Sequence, residues 1–205
     1  MKYNLLMTLI ISSCAIALTA GAPQLLSSET AKEPAMSQTD PNLVIYDGSA
    51  FRFPITTKYP DTMQVQDGCS GEGCGFFFTF IPQNNDLDRA EVHIFLPAGA
   101  TTAADQEPFV TGENGLIANA GWTVTSTDTE NLEKFPYPWV KKAFNIEIDE
   151  QQSGHILLGE AEGQAVQVLL KYPTAMASEY WSVAEIILEN LEFDPDFLPI
   201  PAPSS

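Results

Sequence analysis

From residue 43 to residue 172 the apolar positions come in short alternating runs closed by turn residues, which is the pattern of β-strands. Residues 51–58 and 62–66 are short strand candidates around the turn Tyr59-Pro60-Asp61. Residues 75–81 (GFFFTFI) form an aromatic strand that Pro82-Gln83-Asn84-Asn85-Asp86 closes, and 90–96 form another that Pro97 and Gly99 stop. Residues 101–120 predict one broken helix or two short ones, interrupted by Pro108, Gly112 and Gly115. Strand character returns over 121–126 and 143–148. A hairpin follows, with arms His155–Gly159 and Gln164–Tyr172 around the turn Glu160–Gly163. In the second arm Val166, Val168, Leu170 and Tyr172 alternate with Gln167, Leu169 and Lys171, which turns one face inward.

Pro173-Thr174 then opens a helix, with Thr174 expected as its N-cap. Met176, Tyr180, Val183, Ala184, Ile187, Leu188 and Leu191 recur at steps of three and four and make one apolar stripe, suited to packing on a sheet. Strands dominate, with helices in the middle and at the end. The class this predicts is α+β, an antiparallel sheet flanked by helices.

The chain ends read differently. Lys2, the apolar run Leu5–Leu18 and the small residues Thr19, Ala20, Gly21 and Ala22 make residues 1–22 an export signal. The run is shorter and more interrupted than the about 20 residues a spanning helix needs. Two maturation routes are open. Cleavage near Ala20–Ala22 would release a soluble protein. Alternatively Ile11-Ser12-Ser13-Cys14 resembles a lipoprotein box, with Cys14 as the lipidated residue and the membrane reached only through that anchor. Residues 23–41, rich in Ser, Thr, Ala and Pro, are expected to be a flexible linker. One α+β domain is expected over 42–198, and residues 199–205 a Pro-rich tail.

Composition narrows the partners. Among 205 residues, 27 acidic side chains face 9 basic ones, a formal charge of -18, so there is no basic face for nucleic acid and little attraction to anionic lipid. Cations, basic protein surfaces and neutral ligands remain. Simple solubility is a further sufficient reason for the charge.

The segment Phe53-Pro54-Ile55-Thr56-Thr57-Lys58-Tyr59-Pro60, the aromatic strand, the strand Val92-His93-Ile94-Phe95-Leu96-Pro97 and the helix running into Leu191-Glu192-Phe193 together resemble the PsbP-like family. That family includes lumenal extrinsic proteins of photosystem II and bacterial envelope lipoproteins. The resemblance covers residues 51–197 and implies an α/β/α sandwich in the periplasm, thylakoid lumen or extracellular space. The chain departs from the pattern at Met63, near where members often carry Trp, and in the run Phe76-Phe77-Phe78.

Few residues suggest chemistry. In an oxidising compartment Cys69 and Cys74, with four residues between them in a Gly-rich segment, can close a small ring. His93 and His155 are the two histidines, each either an acid/base group beside a carboxylate or an ordinary strand histidine with a hydrogen-bond partner. Asn84, Asp86 and Asp88 offer oxygens at near-alternate positions, open to calcium or to service as a polar turn. Phe135-Pro136-Tyr137-Pro138-Trp139 is either an exposed binding surface built on Phe135, Tyr137 and Trp139 or a lid over the core. No GxSxG elbow, HExxH, P-loop or dinucleotide fingerprint occurs, and no cofactor is implied. The expectation is an exported, non-catalytic binding or accessory protein acting on a protein partner; the alternative is an envelope protein that binds a small ligand or calcium.

Overall fold

The computed structural model describes residues 42–129 and 132–203; the expected export signal, Cys14 and the whole of the expected linker lie outside them. Ten strands and three α-helices form an α+β domain with two antiparallel sheets. The small sheet has the order β1-β2-β10: β1 (Leu43–Asp47) and β10 (Glu192–Phe193) flank β2 (Ile55–Pro60). Seven strands make the large sheet. They are β3 (Met63–Ser70), β4 (Gly73–Phe80), β5 (Glu91–Pro97), β6 (Thr123–Asp128), β7 (Val140–Glu147), β8 (Gln152–Ala161) and β9 (Gln164–Pro173), in the order β3-β4-β5-β9-β8-β7-β6. The turn after Pro60 is therefore a corner between sheets, since β2 pairs with β1 while β3 pairs with β4. Phe51 sits before β2 in a 3-10 turn, 69% exposed, and not in a strand.

The larger core fills one face of the seven-stranded sheet. Phe76, Phe78 and Phe80 of β4, Val92, Ile94 and Leu96 of β5, and Val166, Val168 and Leu170 of β9 point into it. Tyr46 and Ile55 of the small sheet cover them, together with α3 (Ala177–Glu189), which contributes Tyr180, Ala184, Ile187 and Leu188. Thr57 fastens α3 to β2 by donating from Oγ1 to the Ile187 carbonyl at 2.7 Å.

The opposite face of the sheet carries a second core. There α1 (Ala103–Thr111) and α2 (Leu116–Ala120) place Val110 and Ile117 on Phe144, Ile146, Ile156, Leu158 and Leu169. Strand β9 is thus buried on both sides. Leu169 is covered by helices, which its alternation with Val168 and Leu170 does not by itself disclose.

The N-cap expected at Thr174 is absent. Residues Thr174–Met176 form a 3-10 turn without a side-chain cap, and Thr174 Oγ1 shares a hydrogen bond with Ser153 Oγ at 2.8 Å. Residues 199–203 have no regular structure but lie docked on the domain. Ile200 packs against the larger core, and its carbonyl accepts from Gly99 N–H at 3.0 Å.

Candidate functional site

The helices cover only half of their face of the sheet. Thr102 and Asp105 cap α1 reciprocally: Thr102 Oγ1 accepts from Asp105 N–H at 3.2 Å, and Asp105 Oδ2 from Thr102 N–H at 3.0 Å. Gln106 anchors the helix by donating Nε2 to Gln167 Oε1 of β9 at 2.8 Å, both side chains being buried. Glu107 pairs with Lys142 of β7 at 2.6 Å. These anchors hold α1 over β7–β9.

On β3–β5 the same face presents Gln64, Gln66, Phe77, His93 and Phe95, with no helix above them among the described residues. Alternation fixes this, because Phe76 and Phe78 point to the larger core while Phe77 between them points outward. Phe77 is 38% exposed and stacks on His93 with ring centres 3.8 Å apart; Phe95 lies beyond, 6.2 Å from His93. Where this surface meets α1 and α2, a cleft of about 790 Å³ opens, lined by Phe95, Phe109 and Leu116. Its far wall is made by the β3–β4 turn at Gly71-Glu72, the loop Pro97–Ala100 and Ala202-Pro203. Phe109 is 69% exposed. Glu72 and Asp105 are the charged residues of the lining, and no Lys or Arg is among them.

One buried side chain holds that far wall together. Gln164, fully buried at the start of β9, donates from Nε2 to the carbonyls of Pro97 (2.6 Å), Ala100 (3.2 Å) and Ala165 (3.0 Å). Its Oε1 accepts from Ile200 N–H at 2.7 Å. The sequence gives no sign of this role, since a Gln beside a polar hairpin turn reads as solvated. Cys69 and Cys74 are disulfide-bonded directly across β3 and β4, with Cα atoms 4.1 Å apart. The bond therefore lies within a strand pair and braces the tip that forms part of the cleft wall. Gly73, at φ 140°, lets the tip approach the next strand, where a Cβ would stand 2.2 Å from the Leu96 carbonyl oxygen.

The histidines are held neutral. Burial lowers the His93 pKa to about 4; Glu91 opposes the shift and Lys171 adds to it. His93 Nε2 is buried, has no hydrogen-bond partner among the described residues, and lies over Gly75, where a Cβ would sit 3.3 Å away. His155 belongs to a polar network at the other end of the sheet. Asn145 Nδ2 donates to Ser126 and Asp128, so its Oδ1 accepts from His155 Nδ1–H at 2.6 Å. His155 Nε2 then accepts from Tyr172 O–H at 2.9 Å and from Lys134 Nζ at 3.2 Å. Burial, then the Lys134 charge, lower its pKa to about 3. Burial also lowers the Lys134 pKa, against the pull of Asp128, and its ammonium stands 4.8 Å over Trp181. No carboxylate hydrogen-bonds either imidazole among the described residues, so neither forms the acid/base pair that one sequence reading offered.

Of the two readings of residues 135–139, the lid is the one formed: Phe135 and Trp139 are buried in the larger core and Tyr137 is half-buried against it, so Phe135, Tyr137 and Trp139 do not make an exposed binding surface. Asp86 and Asp88 lie in a 3-10 turn, Asp86–Arg89, that Asn85 caps, and Asn84 precedes the cap. Asp88 accepts from the N–H groups of Gln83 and Asn85 at 2.8 and 3.2 Å, and Asn85 caps Leu87. Among the described residues no group of three or more His, Cys, Asp or Glu side chains is placed to hold a metal ion. No helix among them is long and apolar enough to cross a membrane.

Fold and site together define a two-sheet α+β domain with half of one sheet face left uncovered and aromatic. No family model and no curated protein matches the chain. Solved structures with a similar chain path include the Ran-binding protein Mog1p of Saccharomyces cerevisiae, at 10% identity and a TM-score of 0.48, covering 78% of this chain and 99% of that one. They also include the cyanobacterial PsbP (CyanoP) of Synechocystis sp. PCC 6803, at 12% identity and a TM-score of 0.46, covering 77% of this chain and 95% of that one.

Proposed function

We propose that the protein is an exported, non-catalytic accessory protein that binds another protein through the uncovered aromatic half-face and its cleft. The observation that carries this reading is the exposure of Phe77 on β4 and Phe109 on α1, on either side of Phe95 of β5. Contiguous exposed aromatics on a fixed backbone mark interaction surfaces, because their area is buried at low entropic cost. The charge of -18 and a cleft lined by Glu72 and Asp105 favour a partner that is basic around an apolar anchor. Export rests on the leader, and the Cys69–Cys74 bond suits an oxidising space.

The test is co-purification of the native protein from its own source, beside a Phe77→Ser/Phe109→Ser variant of equal stability. A partner held by the native protein and lost from the variant supports the reading. Undiminished recovery with the variant, or turnover of a small substrate unaffected by it, overturns it.

The cleft also supports a second reading, a small apolar ligand, since its volume falls within the range of about 300–1,000 Å³ usual for such sites. Under that reading an apolar compound raises the Tm of the native protein but not of Phe95→Ala.

A further inference from the structure

The β3 edge is the second unusual feature of this corner. Strand β3 is eight residues long and terminates the seven-stranded sheet, with no strand on its outer side among the described residues. Its pairing with β4 fixes which backbone groups face outward. The Cα separation of 4.1 Å at Cys69 and Cys74 is that of a non-hydrogen-bonded antiparallel pair. The register from Met63↔Phe80 to Ser70↔Gly73 runs without a shift. Met63, Val65, Asp67 and Cys69 therefore direct both N–H and C=O away from β4.

Proteins usually blunt such an edge with a bulge, a proline, a lysine or a covering element. The other edge of the same sheet has its bulge, at the register shift between Val124 and Ser126. Strand β3 (MQVQDGCS) has no bulge, proline, lysine or covering element among the described residues; its one charge is Asp67, which accepts from Tyr46 O–H, and six of its eight residues are exposed. Beside it, Gly68 has nothing within 4 Å of the space a Cβ would fill, and Gly75 follows on β4. A side chain from an added strand can therefore lean across the glycines onto Phe77.

We infer that the edge of β3 takes an extended, cationic segment of the partner protein as an added antiparallel or parallel strand. This deepens, and rests on, the protein-binding reading. Alternate side chains of the segment lie on the aromatic half-face, and the intervening ones stand beside Asp67 on the opposite face. Charge decides between occupants. A second copy of this chain would bring -18 against -18 and set Asp67 near its own counterpart, whereas a Lys- or Arg-bearing segment is attracted over the same distance.

The probe is a capped synthetic peptide in which lysine and valine alternate, and the readout is amide hydrogen exchange of the full domain followed by NMR. At low salt the peptide slows exchange at the Val65 and Asp67 amides at least about tenfold and leaves the β6 amides unchanged. The effect fades in about 0.5 M NaCl and with a peptide carrying glutamate in place of lysine. Val65→Pro retains the fold, because its amide is outside the ladder, and loses the response.

Unchanged Val65 and Asp67 exchange, or equal slowing on β6, overturns the inference. So does protection that rises with protein concentration alone, which marks a second copy as the occupant. If β3 stays unprotected while the native partner still depends on Phe77 and Phe109, strand addition fails and the binding reading stands.

Discussion

Replacing Gln164 by Met keeps the side-chain volume and removes the side-chain latch on residues 199–203, leaving the Gly99 N–H bond to the Ile200 carbonyl. In the native protein its two Nε2 hydrogens are shared among the carbonyls of Pro97, Ala100 and Ala165, and its Oε1 receives Ile200 N–H. The Ala100 carbonyl keeps a second donor, Ala165 N–H at 3.0 Å. The groups left unpaired are the Pro97 and Ala165 carbonyls and the Ile200 amide. An orphaned buried polar group costs about 1–3 kcal/mol, so three of them set an expected loss of about 3 kcal/mol or more in urea denaturation. The loss has a local signature as well. Docked residues 199–203 lift so that Ile200 N–H and Pro97 C=O meet water, and the Gly99 and Ile200 amides exchange much faster while those of β8 hold. A change below about 0.5 kcal/mol with Gly99 and Ile200 still protected would refute the assignment of Gln164 as the latch.

Other perturbations bear on the histidines, the disulfide and the aromatic residues. His93 and His155 have folded pKa values near 4 and 3, below the unfolded 6.5, so the unfolded chain binds more protons. Their stabilising contribution is complete above about pH 6.5 and falls away as the pH drops toward 4. Unfolding free energy at pH 5 should be lower than at pH 7 by about 3 kcal/mol, and a His93→Gln/His155→Gln variant should flatten that dependence. Removing the Cys69–Cys74 bond by Ser substitution of both residues should cost about 2 kcal/mol, read from urea midpoints, given the short loop it closes. Phe135→Ala should cost about 3–5 kcal/mol because the ring is fully buried, whereas Phe109→Ala should change stability by less than about 0.5 kcal/mol.

Local pattern was enough for most elements. The alternation in Gly75–Ile81 and Ala90–Leu96 marks β4 and β5, and the three- and four-residue steps from Tyr180 to Leu191 mark α3 and its buried face. Gly112 and Gly115 break the middle helix where α1 ends and α2 begins, whereas Pro108, also expected to interrupt it, lies inside α1. Long-range pairing was not legible. Nothing local says that β5 lies beside β9, or that the two residues Glu192 and Phe193 close a second sheet on β2. The second core was hidden for the same reason. Leu169 occupies what alternation assigns to an outer face, and only tertiary packing under α1 and α2 buries it. The candidate site was half visible. Strand period turns Phe77 away from Phe76 and Phe78, but the exposure of Phe77 depends on how far α1 reaches across the sheet. The aromatic segment at 135–139 was legible only as two alternatives, surface or lid, and burial of Phe135 and Trp139 in the larger core makes it the lid.

The central claim, that the uncovered half-face is a protein-binding surface, is tested most directly by the affinity of the native partner for wild type and for Phe77→Ser/Phe109→Ser. Isothermal titration at matched stability should give a Kd raised at least about tenfold in the variant, with a smaller negative heat-capacity change from the lost apolar burial. Equal Kd and equal heat-capacity change would contradict the account.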